Sequence, residues 1–442
     1  MTNCSLEEIY RLFVQCGGKV TTDSRSSRDG ALFFALRGLH FDGNRFAEVA
    51  LEGGCCAAVI DDKACYKPDG RHFLVDNTLK TLQDLAALHR QTLAGSLQIL
   101  AVTGTNGKTT TKELIKAVLR EKFGESCLAT QGNLNNDIGV PLTLLDTKAD
   151  TSVLVLEMGA NHLGEIALLS AIAQPSFGLI TNIGRAHLEG FGTREKISQT
   201  KKELFDNLRQ REDSLAFVNS DEHELMLAAD GLKKFTYGTK EPASVIGKIL
   251  DCNPFLVFEW RSQVVETQLV GAYNLYNVLA AVAVGLFYDV PTEAICRGIA
   301  GYKPSNSRSQ LQQTVRNTLF IDAYNANPDS MNASLRNFSA VSAAHKAVIL
   351  GDMLELGTAG AGLHAEIIEL IRSCRFEKVY LCGRAFFNLA DSPSLSHQPA
   401  SFRFFPETDD LIHELREHPV EGYHILIKGS RGMSLERVIA FL

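Results

Sequence analysis

Short apolar runs recur along the chain, and stretches of helical periodicity separate them. The clearest runs are AAVI (57–60), VLVL (153–156), FGLITNI (177–183), SLAFV (214–218), TLFID (318–322), AVIL (347–350), KVYLC (378–382) and HILIK (424–428). Runs of this length read as strands buried on both faces, and helices between successive strands imply mainly parallel sheets covered on both sides. The pattern predicts an α/β chain in three parts. Residues 1–95 read as a small α/β unit, with strands at 31–36 (ALFFAL), 57–60 and 72–75 (HFLV) and helices near 5–15 and 78–93. Two loops, DSRSSRDG (23–30) and RGLHFDGNRF (37–46), interrupt it. Residues 96–306 read as a second, parallel-sheet unit. Its stretch 245–270, rich in β-branched and aromatic residues, suits local antiparallel strands, and a helix follows over 274–288. Residues 307–442 read as a doubly wound, Rossmann-like unit, entered through the hinge GYKPSNSRSQ (301–310).

Bulk properties narrow the classes. The chain has 442 residues, enough for about three domains of ordinary size. A net charge of −7 argues against nucleic acid as the main partner, so an anionic ligand must be met by locally gathered cations. The ten cysteines show no CxxC pair and read as reduced core thiols of a cytoplasmic protein. The N-terminal MTNCSLEEIY lacks a basic and apolar leader, and the apolar stretch 278–287 is too short to span a bilayer. No membrane partner is expected.

The stretch AVTGTNGKTTT (101–111) carries the strongest chemistry. An apolar run over 97–102 enters a glycine-rich turn, and a helix over 109–123 leaves it. Gly104, Thr105, Asn106 and Gly107 can turn backbone N–H groups toward phosphate oxygens. The helix N-terminus and Lys108 add positive charge, and the Thr109 hydroxyl can reach Mg²⁺, with Thr110 beside it. The turn is shorter than the usual Walker pattern, because Val102 stands where its first glycine belongs.

Other residues support two readings each. Glu157, at the end of VLVLE, is either a cap or a Mg²⁺ ligand at a strand's carboxyl end. His187, in IGRAHLEGFG, is either structural or a ligand on the same sheet edge. TKKE (200–203), containing Lys201, reads by itself as a solvated basic face. Asn133 and Asn135, in QGNLNNDIGVPLTLL (131–145), suit either a capped turn or a sugar or phosphate contact. Asn274 and Asn277 share one helix face and are either buried caps or readers of a base edge. Arg308 and Asp322 reach a nucleotide only if the third unit folds over it. KGSRG (428–432), after a strand, offers a second anion site in which Arg431 can grip a carboxylate; packing of the last helix is the alternative.

Taken in order, GTNGKTTT, EMGAN, IGRAHLEGFG and TKKE resemble the central ATPase domain of the Mur ligases of bacterial cell-wall synthesis. QGNLNNDIGVPLTLL, DAYNANPDSM (322–331), GDMLELG (351–357) and KGSRGM (428–433) are similar to the branch that adds D-alanyl-D-alanine to UDP-N-acetylmuramoyl-tripeptide. DSR (23–25) and ALFFALRG (31–38) resemble its UDP-binding N-terminal domain. The resemblance implies an ADP-forming amide ligation through an acyl phosphate, with ATP and two Mg²⁺ ions, by a monomer. It implies Lys108 on the β- and γ-phosphates, Thr109 and Glu157 on one Mg²⁺, and His187 on a second Mg²⁺ supported by a carbamylated Lys201. It further implies Asn277 at adenine, Arg308 and Asp322 at the nucleotide, Asn133 and Asn135 near the muramoyl substrate, and Ser24 and Arg25 near the uridine diphosphate. Arg431, or else Asn325 and Asn327, would take the dipeptide. The chain departs from many relatives at Tyr273, where they have His, and at Asp322, a single acid where they have two. A sister ligase, such as a folylpolyglutamate synthase or the enzyme adding the third stem residue, is the nearest alternative. A nucleotide-driven switch protein is a more distant one.

Overall fold

Three sheets take up the apolar runs in chain order. The computed structural model describes residues 3–25, 29–305, 307–390 and 401–442. Residues 26–28 of the DSRSSRDG loop and residue 306 of the hinge lie outside the described residues. The first sheet has β1 (Val20–Thr21), β2 (Leu32–Phe34), β3 (Ala57–Ile60) and β4 (His72–Leu74), all parallel and in that order.

The second sheet has nine strands: β5 (Gln98–Thr103), β6 (Cys127–Ala129), β7 (Val153–Glu157), β8 (Phe177–Ile180), β9 (Leu215–Asn219), β10 (Lys233–Gly238), β11 (Val245–Cys252), β12 (Phe255–Trp260) and β13 (Gln263–Val270). Their order is β13-β12-β11-β10-β9-β8-β5-β7-β6. Pairing is parallel from β6 to β11, and β11, β12 and β13 pair antiparallel as the composition of 245–270 predicts. The chain leaves β5 toward β6 and β7 on one side and later continues to β8 on the other. The loop after β5 therefore opens into the crevice where strand order reverses, the usual ligand position of an open α/β sheet.

The third sheet has β14 (Gln310–Gln313), β15 (Thr318–Asp322), β16 (Lys346–Gly351), β17 (Lys378–Cys382), β18 (Phe402–Phe405) and β19 (His424–Lys428), in the order β14-β15-β19-β16-β17-β18. Only β14 runs antiparallel. Strands β1, β6, β10, β14 and β18 escape the sequence reading. CLA is too short to show a period, and KKFTYG opens on two exposed lysines.

Two apolar layers hold the second sheet. The helix Asn274–Phe287 is buried on every side from Val278 to Gly285; it lays Leu279 against Gly247 of β11 and, at Gly285, comes close to Val118 of the helix Lys108–Phe123. On the other face, Ile99, Leu154 and Leu204 share one core with Ile9, Phe13, Leu82 and Leu85 of the first unit. The first sheet is therefore cemented to the second through the helix Thr78–Thr92.

The cysteine reading needs correction. Cys16, capping the helix Leu6–Gln15, and Cys56, just before β3, form a disulfide with Cα atoms 6.3 Å apart; the other eight cysteines are free. A sequence separation of 40 carries no pairing signal; the fold brings the two thiols together.

Candidate active site

A cavity of about 800 Å³ lies where the carboxyl ends of the second and third sheets face each other. The segments after β5, β7 and β8 line one wall, and those after β15, β16 and β19 line the other. Arg308 and Ser309 of the hinge close one end.

The phosphate loop is held by the segment after β8. Asn106 N–H donates to Asn182 Oδ1 at 3.0 Å, Asn182 Nδ2 donates to the Asn106 carbonyl at 3.0 Å, and Thr181 donates to the same carbonyl at 2.6 Å. Gly107 sits at φ +80°, and a Cβ there would meet Asn277 Oδ1 at 2.7 Å. Glycine is thus needed for both backbone and space. The helix begins at Lys108 with no side-chain cap, so no capping oxygen occupies its first N–H groups, the arrangement that suits an anion. Lys108 Nζ donates to the carbonyls of Gly104 and Thr105 at 2.8 and 3.0 Å. Packing around this ammonium holds its pKa below the ordinary lysine value, the Glu157 carboxylate opposes the shift, and Arg308 reinforces it.

The register of β5 with β7 sets Val102 opposite Glu157 and brings that carboxylate beside the loop. Glu157 Oε1 accepts from Thr109 at 3.2 Å and from Asn135 at 2.8 Å. Its Oε2 is buried without a hydrogen-bond donor, and Lys112 Nζ lies 4.0 Å away. A buried carboxylate oxygen without a donor carries a desolvation penalty that a cation relieves. A carboxylate and a hydroxyl beside a phosphate loop are the sparse protein set that Mg²⁺ uses, with phosphate oxygens and water completing its shell. Among the described residues no cluster of three or more His, Cys, Asp or Glu forms a metal cage, and such a site needs none.

Lys201 is not the solvated residue that TKKE suggests. It is 3% exposed, with its ammonium 5.5 Å from the centre of the Phe191 ring. Burial, with the Lys108 charge adding to it, pulls its pKa down to about 7. His187 adopts φ +52° and lines the cavity, and its Nδ1 pairs with Glu355 of the third unit. Burial lowers the His187 pKa; Glu355 opposes this and Lys108 adds to it.

The remaining expected residues fall into two groups. Gly107, Lys108, Thr109, Thr110, Asn133, Asn135, Asn277, Arg308, Asp322, Asn325, Asn327 and Arg431 all line the cavity. Asn277 is committed to its neighbours, accepting from Thr111 at 3.0 Å and donating to Asn274 at 2.8 Å, so only one amide hydrogen is left outside these two bonds. Asp322 accepts from Lys428 at 2.6 Å, and Asn327 exchanges amide bonds of 2.7 and 3.4 Å with Asn106. Tyr273, half-buried on the cavity wall, meets Ser309 at 3.2 Å. Ser24, Arg25 and Gly104 do not line this cavity; Gly104 packs against Thr181, and Arg25 grips Asp23 with two side-chain bonds of 3.0 Å.

Sequence reasoning missed Asn182, Lys428 and Tyr324. Asn182 is hidden in an apolar run, although its place at a strand's carboxyl end is a usable signal. Tyr324 stacks on the Arg308 guanidinium 3.6 Å from the ring centre, with the Arg431 guanidinium 5.1 Å away. That contact joins residues far apart in sequence and has no local signature.

Comparison with known proteins identifies the relatives of this chain. Residues 19–90 match the Mur ligase family, catalytic domain; 102–285 match the Mur ligase middle domain; and 307–431 match the Mur ligase, glutamate ligase domain. The chain is 35% identical to the UDP-N-acetylmuramoyl-tripeptide--D-alanyl-D-alanine ligase of Bacillus subtilis (strain 168), over 95% of this chain and 92% of that one. It is similar to the crystal structure of MurF from Acinetobacter baumannii, with a TM-score of 0.84 and 29% identity over 96% and 92% of the two chains. MurF ligase from Thermotoga maritima in complex with ADP superimposes with a TM-score of 0.81 and 28% identity, over 96% of each chain. The chain belongs to the Mur ligase family.

Proposed function

We propose that this chain joins D-alanyl-D-alanine to UDP-N-acetylmuramoyl-tripeptide with ATP, forming ADP, in peptidoglycan precursor synthesis. The observation that carries the reading is the facing of two anion-binding edges across one cavity: the uncapped helix with Lys108 on one side, and the Arg431 loop on the other. Three parts divide the work: 1–95 for the uridine diphosphate end through Ser24 and Arg25, 96–306 for ATP, and 307–442 for the dipeptide.

The chemistry follows from charge. A carboxylate is a poor electrophile, so the tripeptide carboxylate first takes the γ-phosphoryl group and becomes an acyl phosphate. The amine of D-alanyl-D-alanine then attacks that carbonyl, and phosphate leaves. Lys108 and the first N–H groups of its helix neutralise the phosphoryl oxygens as charge spreads over them. Thr109 and Glu157 would hold one Mg²⁺, and His187 and a carbamylated Lys201 a second; the ions would supply further charge neutralisation. Carbamylation needs a neutral amine, and a lysine with a pKa near 7 supplies one at physiological pH. Arg308, stacked on Tyr324, and Asp322, fixed by Lys428, reach the nucleotide from the third unit. Arg431 has the fork geometry to take the dipeptide carboxylate. Among the described residues no helix is long and apolar enough to cross a membrane. We place the reaction in the cytoplasm, where ATP is available, and read the enzyme as a monomer.

The test is phosphate release from ATP with UDP-N-acetylmuramoyl-tripeptide present. Release that rises when D-alanyl-D-alanine is added, with a tripeptide-dipeptide product in the mass spectrum, is the expected result. Release driven instead by a single amino acid would move the chain to a sister reaction.

A further inference from the structure

The dipeptide Gly184-Arg185, just after β8, touches the phosphate loop on one side and the third unit on the other. Toward the loop, Gly184 N–H donates to Thr105 Oγ1 at 2.9 Å. Toward the third unit, the Arg185 backbone N–H donates to Asp329 Oδ2 at 2.6 Å and Arg185 Nε donates to Asp329 Oδ1 at 3.1 Å. Arg185 Nη1 also reaches Glu366 at 3.4 Å. Asp329 lies in the first turn of the helix Pro328–Ala340, whose cap, Asn327, pairs with Asn106 of the phosphate loop. Gly184 has no Cβ to interfere; one placed there would stand 2.6 Å from Asp329 Oδ2. The side chains of Arg185 and Asp329 are 38% and 37% exposed, so a simple ion pair between them would count for little. What distinguishes this contact is the backbone N–H held by a carboxylate at a glycine that admits it, one residue beyond a bond to the phosphate loop.

We propose that Asp329 is a positioning residue for the ligation. It seats the helix Pro328–Ala340 on the Gly184-Arg185 strip, and so fixes the distance between the phosphate loop and the wall that carries Lys428 and Arg431. The step that depends on it most is attack by the amine, which needs both walls at once; nucleotide binding rests first on the phosphate loop, with Arg308 and Asp322 of the third unit adding to it. The proposal rests on the ligase reading above.

The test uses the full-length enzyme and the variants Asp329→Ala, Gly184→Ala and their combination. Each single variant lowers kcat about tenfold, the size of a lost charge-assisted contact. Affinity for a non-hydrolysable ATP analogue falls by less than kcat does, because the phosphate loop keeps its own contacts, and solution scattering of the analogue complex shows a larger radius of gyration. The double variant is no slower than the slower single one, because Gly184→Ala acts by displacing a carboxylate that Asp329→Ala has already removed. Should Asp329→Ala not fold, Asp329→Asn, of equal size, carries the same comparison. A kcat within about twofold of the parent, losses that multiply in the double variant, or a parallel loss of nucleotide affinity would each overturn the proposal. Failure of the ligase reading shows separately, as a parent enzyme whose phosphate release ignores D-alanyl-D-alanine; the affinity and scattering measurements remain readable in that case.

Discussion

At the scale of single residues, Lys108, half-buried, and Lys201, buried, are two lysines with different tasks. Lys108 has carbonyl partners and a carboxylate nearby, and it stays available to phosphate. Replacing it with Ala should cost a factor of about 100 to 1,000 in turnover, as loss of one preorganised donor does, while the thermal melt stays close to the parent's. Near-normal phosphate release by that variant would remove Lys108 from the mechanism. Lys201 has an aromatic ring beside it and a pKa pulled down to about 7. As pH rises through 7 its ammonium loses the proton, so the amine that captures CO₂ becomes the main form. Lys201→Ala should be nearly inactive and regain part of its rate with added short-chain carboxylates. For the parent enzyme stripped of CO₂, bicarbonate should restore more activity at pH 8 than at pH 6. No rescue by either reagent would leave Lys201 as a buried cation only.

At the scale of elements, the turn between β5 and its helix works because Gly107 combines a left-handed backbone with contact to Asn277. Gly107→Ala carries a backbone cost of about 1–2 kcal/mol before any clash is counted, and the Asn277 amide must then move. ATP affinity should drop by more than tenfold. Gly95→Ala, with nothing within 4 Å of the added Cβ, should bind ATP as the parent does; equal affinities in the two variants would show that the turn tolerates a side chain. The helix Leu6–Gln15 is tied at its end by Cys16 to Cys56. Alkylating the unfolded, unreduced protein should therefore label eight of ten cysteines, and ten after reduction. Ten labels without reductant would return the pair to the free-thiol state that the sequence reading expects.

At the scale of the whole molecule, the cavity exists only because two sheets present their carboxyl edges to each other. The division of substrates between the walls predicts that Arg431→Ala raises the KM for D-alanyl-D-alanine far more than that for ATP, because only the dipeptide carboxylate loses its partner. Equal changes for all substrates would make the loop structural and move the dipeptide site toward Asn325 and Asn327.

The sequence by itself determined the local elements and the phosphate loop. Strand and helix periods, and a glycine turn ending in Lys-Thr, depend on residues close together in the chain, so β5, the Lys108 helix and the antiparallel 245–270 segment are legible from composition and spacing. Family motifs extended this to Glu157, His187 and Lys201 as names in a site. Only the tertiary structure decided their environments. Burial of Lys201 in a helix that reads as solvated, the Oε2 of Glu157 without a donor, the commitment of Asn277 to Thr111, and the Cys16–Cys56 bond all arise from packing between elements far apart in sequence. The same is true of Tyr324 against Arg308 and of Asp329 against Arg185. The physical reason is that dielectric, hydrogen-bond partnership and distance are properties of the space around a side chain, and that space is filled by residues from elsewhere in the chain.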